Sequence, residues 1–340
     1  MVEDRNEESN KVKISATVIT FNEELELEEC LECLKWVNEI IVVDSHSTDR
    51  TLEIARRYTD KVYEQAFLGC GKQKNVAIEK ARGEWILHLD ADERISPELR
   101  EEILRVIADP NSADAYHVRR QNFWLGRRLR HGGWYPDHAL RLFRKGKGHW
   151  EGAVAETFVI EGTSGELRNE LQHYTVRQLD EHLTKQVAST TVEVHEALAN
   201  GVRFCWIWPP GVVVQAVREF LGGPKNSMAL RLLYKKHFKN KYELIWAFPF
   251  WPIVRFCYTY FFRLGILDGI PGFWIAVLSG TYEAMRCVKL WDALACQKRG
   301  GRVPNLDFAA LYRRHWRPQP PSSHPIANRR EEAGAPDGKP

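Results

Sequence analysis

Residues 84–93 read EWILHLDADE, an apolar run that ends in three acids within four positions. The run has the length and composition of a buried strand, and in open α/β sheets ligands sit outside the carboxyl ends of such strands. Crowded carboxylates repel one another, and a divalent cation relieves that repulsion. An acidic turn before the helix that Ser96 and Pro97 open accounts for the same residues, so spacing alone leaves both readings open.

The same grammar repeats upstream. Residues 12–20 (VKISATVIT), 39–44 (EIIVVD) and 61–64 read as strands, and residues 25–37, 49–58 and 72–82 carry apolar side chains at helical spacing. Strand and helix in alternation predict an α/β domain with a mostly parallel, Rossmann-like sheet flanked by helices. Two further strand ends turn polar: Thr20 and Asn22 follow the first, and Asp44 closes the second, with Asp49 placed to cap the next helix. Three strand ends thus converge on one crevice.

The alternation stops near residue 108. Residues 113–171 look strand-rich and irregular, and residues 176–200 read as a long helix ended by Gly201. The predicted organisation is a disordered N-terminus (1–11), a catalytic domain (12–175), a helical, aromatic-rich, membrane-associating region (176–316) and a disordered tail (317–340). Residues 244–262 and 264–280 are strongly apolar, yet Pro249, Pro252, Arg255, Asp268 and Pro271 interrupt them, so neither reads as a simple span. Residues 222–241 carry six Lys or Arg and no acid, which suits an anionic membrane surface.

The 340 residues hold 12 Trp, 11 Tyr and 15 Phe, although the mean hydropathy of −0.41 is that of a soluble protein. Trp85 reads as sheet core; Trp124, Trp134 and Trp150 read as rings able to stack on a sugar. A net charge of +3 is too mild to indicate a nucleic-acid binder. Residues 119–147 are locally basic, at +8, which suits a phosphate or a phosphorylated acceptor as well as a solvated face. Seven cysteines in a chain whose first residues are polar predict reduced thiols and a cytosolic start. Cys30 and Cys33 have CxxC spacing without a second pair, and His131, His138 and His149 match no zinc pattern, so both sets read as structural.

The runs ATVITFNEE, IIVVDSHSTDRT and GKQKNVAIEKARGEWILHLDADERIS together resemble the nucleotide-sugar-binding half of the family 2 glycosyltransferases, which have the GT-A fold. Residues 134–156 and 261–290 are similar to the subgroup that adds sugars to lipopolysaccharide core. The resemblance implies an inverting, metal-dependent enzyme that moves a hexose, with glucose from UDP-glucose foremost, to a lipid-linked saccharide. It would work at the cytoplasmic face of the inner membrane, with no nucleic-acid partner. Transfer to a polyprenyl phosphate and a non-catalytic membrane-binding module are the competing readings.

Carried onto this chain, the resemblance assigns Mg²⁺ or Mn²⁺ to Asp92 and Asp90. It assigns the nucleotide-sugar to Thr20, Asn22, Glu23, Asp44, Lys72, Asn75, Asp90 and Ala91. The acceptor or its phosphates fall to Arg141, Arg144 and Trp134. Ser45 and His46 stand where the commoner VDDGS form has Asp and Gly. Inversion requires a carboxylate to deprotonate the acceptor hydroxyl, and Asp137, Glu151 and Glu156 compete for that role. The resemblance favours Glu156, within Val-Ala-Glu where related sequences have Val-His-Glu.

Overall fold

The structure, a computed structural model, describes residues 13–152, 156–177, 179–199, 203–204, 242–243 and 251–300. The predicted termini and the basic run 222–241 lie outside the described residues.

The first half follows the predicted alternation: β1 (Ile14–Thr20), α1 (Leu27–Glu32), β2 (Glu39–Asp44), α2 (Thr51–Tyr58), β3 (Val62–Glu64), α3 (Cys70–Lys80), β4 (Trp85–Asp90), β5 (Glu93–Arg94) and α4 (Pro97–Ala108). Ser96 caps α4 by accepting from the Leu99 N–H, with Pro97 at the first helical position. Helix α1 is six residues, far shorter than its apolar spacing suggests.

Then come β6 (Ala115–Trp124), β7 (Arg127–Arg128), β8 (Asp137–Arg144), β9 (Gly148–Glu151), β10 (Thr157–Ile160) and β11 (Ser164–Val176). Among the described residues β6, β7, β8 and β11 complete a nine-stranded sheet in the order β3-β2-β1-β4-β8-β6-β11-β5, with β7 beside β6, while β9 and β10 form a separate antiparallel pair. Its first four strands run parallel, as expected; β8 then pairs antiparallel with both β4 and β6, so the sheet is mixed.

The parallel strands are apolar throughout because both faces are covered. Along β2, Ile40 and Val42 face α1, α2 and α4, while Ile41 and Val43 face α3, as the period of two requires. Trp85 lies in the first of these cores.

The C-terminal region contains α5 (Leu179–Ala199), the short pair β12 (Arg203–Phe204) and β13 (Tyr242–Glu243), α6 (Trp251–Cys257), a π-helical turn (Tyr258–Phe262), a 3₁₀ turn (Gly265–Asp268) and α7 (Gly269–Lys298). Ile275 of α7 packs with Trp124, Leu129 and Val176, so this helix shares a core with the sheet. Among the described residues no single helix is long and apolar enough to cross a membrane. The bent pair 252–262 and 265–298, which turns through 70°, meets that test only as a pair.

Candidate functional site

Register brings the three strand ends to one edge of the sheet. Thr20 pairs with Asp44, and Ile19 with Asp90. The loops that follow lock together: Asn22 Oδ1 accepts the Thr48 N–H, and the N–H groups of Glu23 and Glu24 donate to Thr51 and Asp49. Asn22 and His46 both adopt left-handed backbone, with φ of 56° and 62°. His46 therefore holds a conformation that glycine adopts without strain, at a steric cost concentrated beside the crevice.

Thr20 and Asp44 were expected to meet a ligand. The structure instead buries both and turns them on each other: Thr20 Oγ1 and Ser47 Oγ donate to Asp44 Oδ1, and the Ser47 N–H donates to Oδ2. Asp44 thus shapes the loop rather than presenting its carboxylate. Asn22 and Glu23 are half-buried in the adjoining turn, and Lys72 is exposed on the first turn of α3.

Asn75 is another correction. Its amide donates to the Trp150 carbonyl and accepts the Trp150 N–H, each at 2.9 Å, so it clamps β9 rather than reaching for a nucleotide. Asn75→Ala leaves both backbone groups unpaired and should cost about 2 kcal/mol in urea unfolding, with donor affinity unchanged. A folded variant with weakened donor binding would overturn this assignment.

Asp90 sits in a nest of cations. Arg141 Nη2 reaches Oδ2 at 2.5 Å, and Lys74 Nζ and His88 Nε2 lie 3.2 and 3.4 Å from Oδ1. Burial alone would raise its pKa, but Arg141 and Lys74 hold it well below the usual carboxylate range. Burial and the neighbouring Lys74 push His88 down to about 4, so the imidazole is neutral. Arg141, expected at the acceptor, is buried and also grips Glu93 through two hydrogen bonds. Ala91 is buried and its carbonyl accepts from Arg94.

Asp92 is the more open acid of the pair. Its side chain is 24% exposed, with His173 Nε2 at 3.4 Å from Oδ2. Burial works against its charge, and His173 more than offsets that, so its pKa is lowered. Among the described residues no three His, Cys, Asp or Glu side chains converge as a closed metal cage. An open carboxylate with an adjoining imidazole fits a hard divalent ion that takes its remaining ligands from a diphosphate and water.

Of the two favoured candidate bases, Glu156 shares Lys74 with Asp90 and Asp137 shares Arg120 with Glu93. Glu156 Oε1 accepts from Lys74 Nζ at 2.6 Å, and its side chain is 20% exposed. Lys74 itself is buried, 4.6 Å from the centre of the Trp150 ring. Asp137 accepts from Arg120 and from Asn122 Nδ2. Glu151 is exposed on β9 beside His149.

The basic run 119–147 dissolves on folding, because the chain brings distant acids to it. Arg120 meets Glu93, Arg128 meets Glu170, Arg144 meets Glu84, and Lys147 meets Asp114. Arg144 lies at the far end of β8, opposite Trp85, so it cannot serve an acceptor at the strand ends. Trp124 and Trp150 are buried core rings, which removes them as sugar platforms, while Trp134 is half-buried in the loop before β8. Both thiols of the CxxC are structural: Cys33 Sγ donates to the Cys30 carbonyl, and burial raises the pKa of each.

Sequence reasoning missed His173 and Asn122. Asn122 Oδ1 accepts from His173, and its amide donates to the Trp134 carbonyl and to Asp137, joining the surroundings of Asp92 to those of Asp137. Nothing local marks a lone His on β11; only the parallel pairing of β11 with β6 places it.

A profile of the Glycosyl transferase family 2 matches residues 15–161. The lipopolysaccharide core biosynthesis glycosyltransferase LpsC of Rhizobium meliloti (strain 1021) is 32% identical over 313 residues, which cover 88% of this chain and 98% of LpsC. The crystal structure of S. aureus TarS 1-349 in complex with UDP aligns with 87% of this chain and 94% of that one, at 17% identity and a TM-score of 0.40. Glucosyl-3-phosphoglycerate synthase from Mycobacterium tuberculosis, in complex with Mg²⁺ and UDP, aligns with 36% of this chain and 48% of its own, at 19% identity and a TM-score of 0.28.

Proposed function

Because this chain belongs to glycosyl transferase family 2, we propose that it transfers a hexose, with UDP-glucose as the leading donor, to a lipid-linked saccharide of the lipopolysaccharide-core type. The reaction inverts the anomeric centre and takes place at the cytoplasmic face of the inner membrane. The observation that carries the reading is the open carboxylate of Asp92 beside the cation-bound Asp90, at the carboxyl end of β4.

Asp92, with His173 beside it, would hold Mg²⁺ or Mn²⁺ together with donor phosphate oxygens. That ion supplies positive charge against the departing diphosphate. The rest falls to the chain. Asp90 is committed to Arg141 and Lys74 and keeps the strand end rigid. Asn22, Glu23 and Lys72 border the nucleotide side, and Trp134 the acceptor side. Glu156 takes the proton of the acceptor hydroxyl as its oxygen attacks the anomeric carbon. The bond to the nucleoside diphosphate breaks, and its electron pair leaves with the phosphate.

Incubation with UDP-glucose, a metal ion and either truncated lipopolysaccharide core or polyprenyl phosphate, followed by mass spectrometry, tests the reading. The expected product is core saccharide carrying one added hexose. Labelling of polyprenyl phosphate instead, or of neither, contradicts it.

A further inference from the structure

The break between the π-helical turn and α7 forms an elbow whose outer side is strongly apolar. Phe262, Leu264, Leu267 and Ile270 are 62%, 50%, 63% and 75% exposed, and Phe261 and Trp274 are about half exposed. Apolar side chains contiguous in sequence and this open to water mark an interaction surface rather than ordinary surface scatter.

The elbow is rigid and built into the catalytic domain. Leu264 turns the chain with φ of 58°, and the rings of Phe256, Tyr260 and Phe273 pack edge to face or stacked inside the bend. Gly272 lets α7 approach the Gly265 carbonyl so closely that a Cβ there would lie 1.8 Å from its oxygen. Asp268, almost buried, accepts the N–H groups of Arg130 and His131 and pairs with the His131 ring at 2.9 Å. The Gly132 N–H donates to the Arg263 carbonyl. The strap so held, residues 130–136, leads directly to Asp137 at the site.

Toward its C-terminus α7 is covered by α5. Val194 and Leu198 pack there with Leu290 and Leu294, Lys289 Nζ donates to the Val187 carbonyl and to Thr190 and Thr191, and Tyr282 donates to Glu193.

We propose that residues 258–274 are a bilayer-inserting elbow that seats the enzyme on the membrane with the strap 130–136, and hence the acceptor side of the site, facing the lipid. This rests on the reading above that the acceptor is lipid-linked. A membrane is the occupant because the apolar elbow belongs to a chain whose basic sequence suits anionic headgroups. Arg255 is exposed on α6, and in the sequence residues 222–241 carry six Lys or Arg and no acid. Trp274 has the amphipathic ring favoured at such interfaces. The 70° bend suits an element that enters one leaflet and returns.

The test is flotation of the full chain with vesicles of phosphatidylethanolamine and phosphatidylglycerol, comparing wild type with Leu267→Glu/Ile270→Glu. Both side chains project into solvent, so the variant should fold and should still transfer sugar to a water-soluble core saccharide. Binding to vesicles should fall at least tenfold. Wild-type binding by the variant, or binding abolished by salt alone and indifferent to the substitutions, overturns the proposal. So does a wild type that ignores vesicles but changes from dimer to monomer on substitution. Vesicle binding lost as expected in a chain that transfers no sugar to any acceptor would sink the enzymatic reading and leave the elbow standing.

Discussion

Asp92→Asn is expected to lower sugar transfer by about 10²–10³-fold, the usual cost of removing one group that stabilises charge developing in a transition state. The substitution keeps the shape of the side chain and removes its negative charge. Its neighbour His173 is 3.4 Å away, and no other acid takes over, because both oxygens of Asp90 are already occupied by Arg141 and Lys74. Metal-dependent affinity for UDP, measured by calorimetry, should fall in parallel. Stability should fall modestly, because the carboxylate supports the charge of the nearly buried His173 ring, whose pKa it raises against the effect of burial. Unaltered turnover in a folded Asp92→Asn protein would remove Asp92 from the reaction.

Glu156→Gln is the second large effect. Loss of a general base costs about 10²–10⁴-fold. Glutamine can still accept from Lys74 Nζ, so the local packing should survive. The fall should appear in kcat, with the affinity for UDP-glucose within about twofold of wild type. Asp137→Asn separates the two candidates. Asp137 is tied to Arg120 and Asn122, and its substitution should disturb that network without abolishing turnover. If Asp137→Asn is the variant that loses kcat and Glu156→Gln is not, the base is Asp137.

How much of this was legible in the sequence depended on distance along the chain. The GT-A-like sheet with helices on its faces was readable, because each parallel strand announces itself as a short apolar run with a polar end, and α4 carries its own cap. Asp90, Asp92 and Glu93 were readable for the same reason. What failed was partnership. Arg141 and Arg144 looked like a phosphate-binding face because their acids lie 48 and 60 residues upstream, Glu93 on β5 and Glu84 just before β4. Asp44 and Asn75 looked like ligand contacts because nothing local shows that Thr20 and the Trp150 backbone already claim them.

The antiparallel half of the sheet was unreadable in the same way. Strands β6, β8 and β11 are half-buried and mixed in polarity, so their pairing follows from tertiary contacts rather than from an apolar run. His173 and Asn122 lie on those strands, which is why the surroundings of Asp92 appeared only in three dimensions. His46 shows a subtler dependence: the loop takes a left-handed turn at a histidine, where nothing in the residue type announces it.

The most direct measurement is the initial rate of UDP release from UDP-glucose by the wild-type chain, with and without core saccharide, before and after chelation. The account predicts release that requires the acceptor, stops on chelation and returns with Mg²⁺ or Mn²⁺. Release that continues at the same rate in chelator, or that ignores the acceptor, would contradict it.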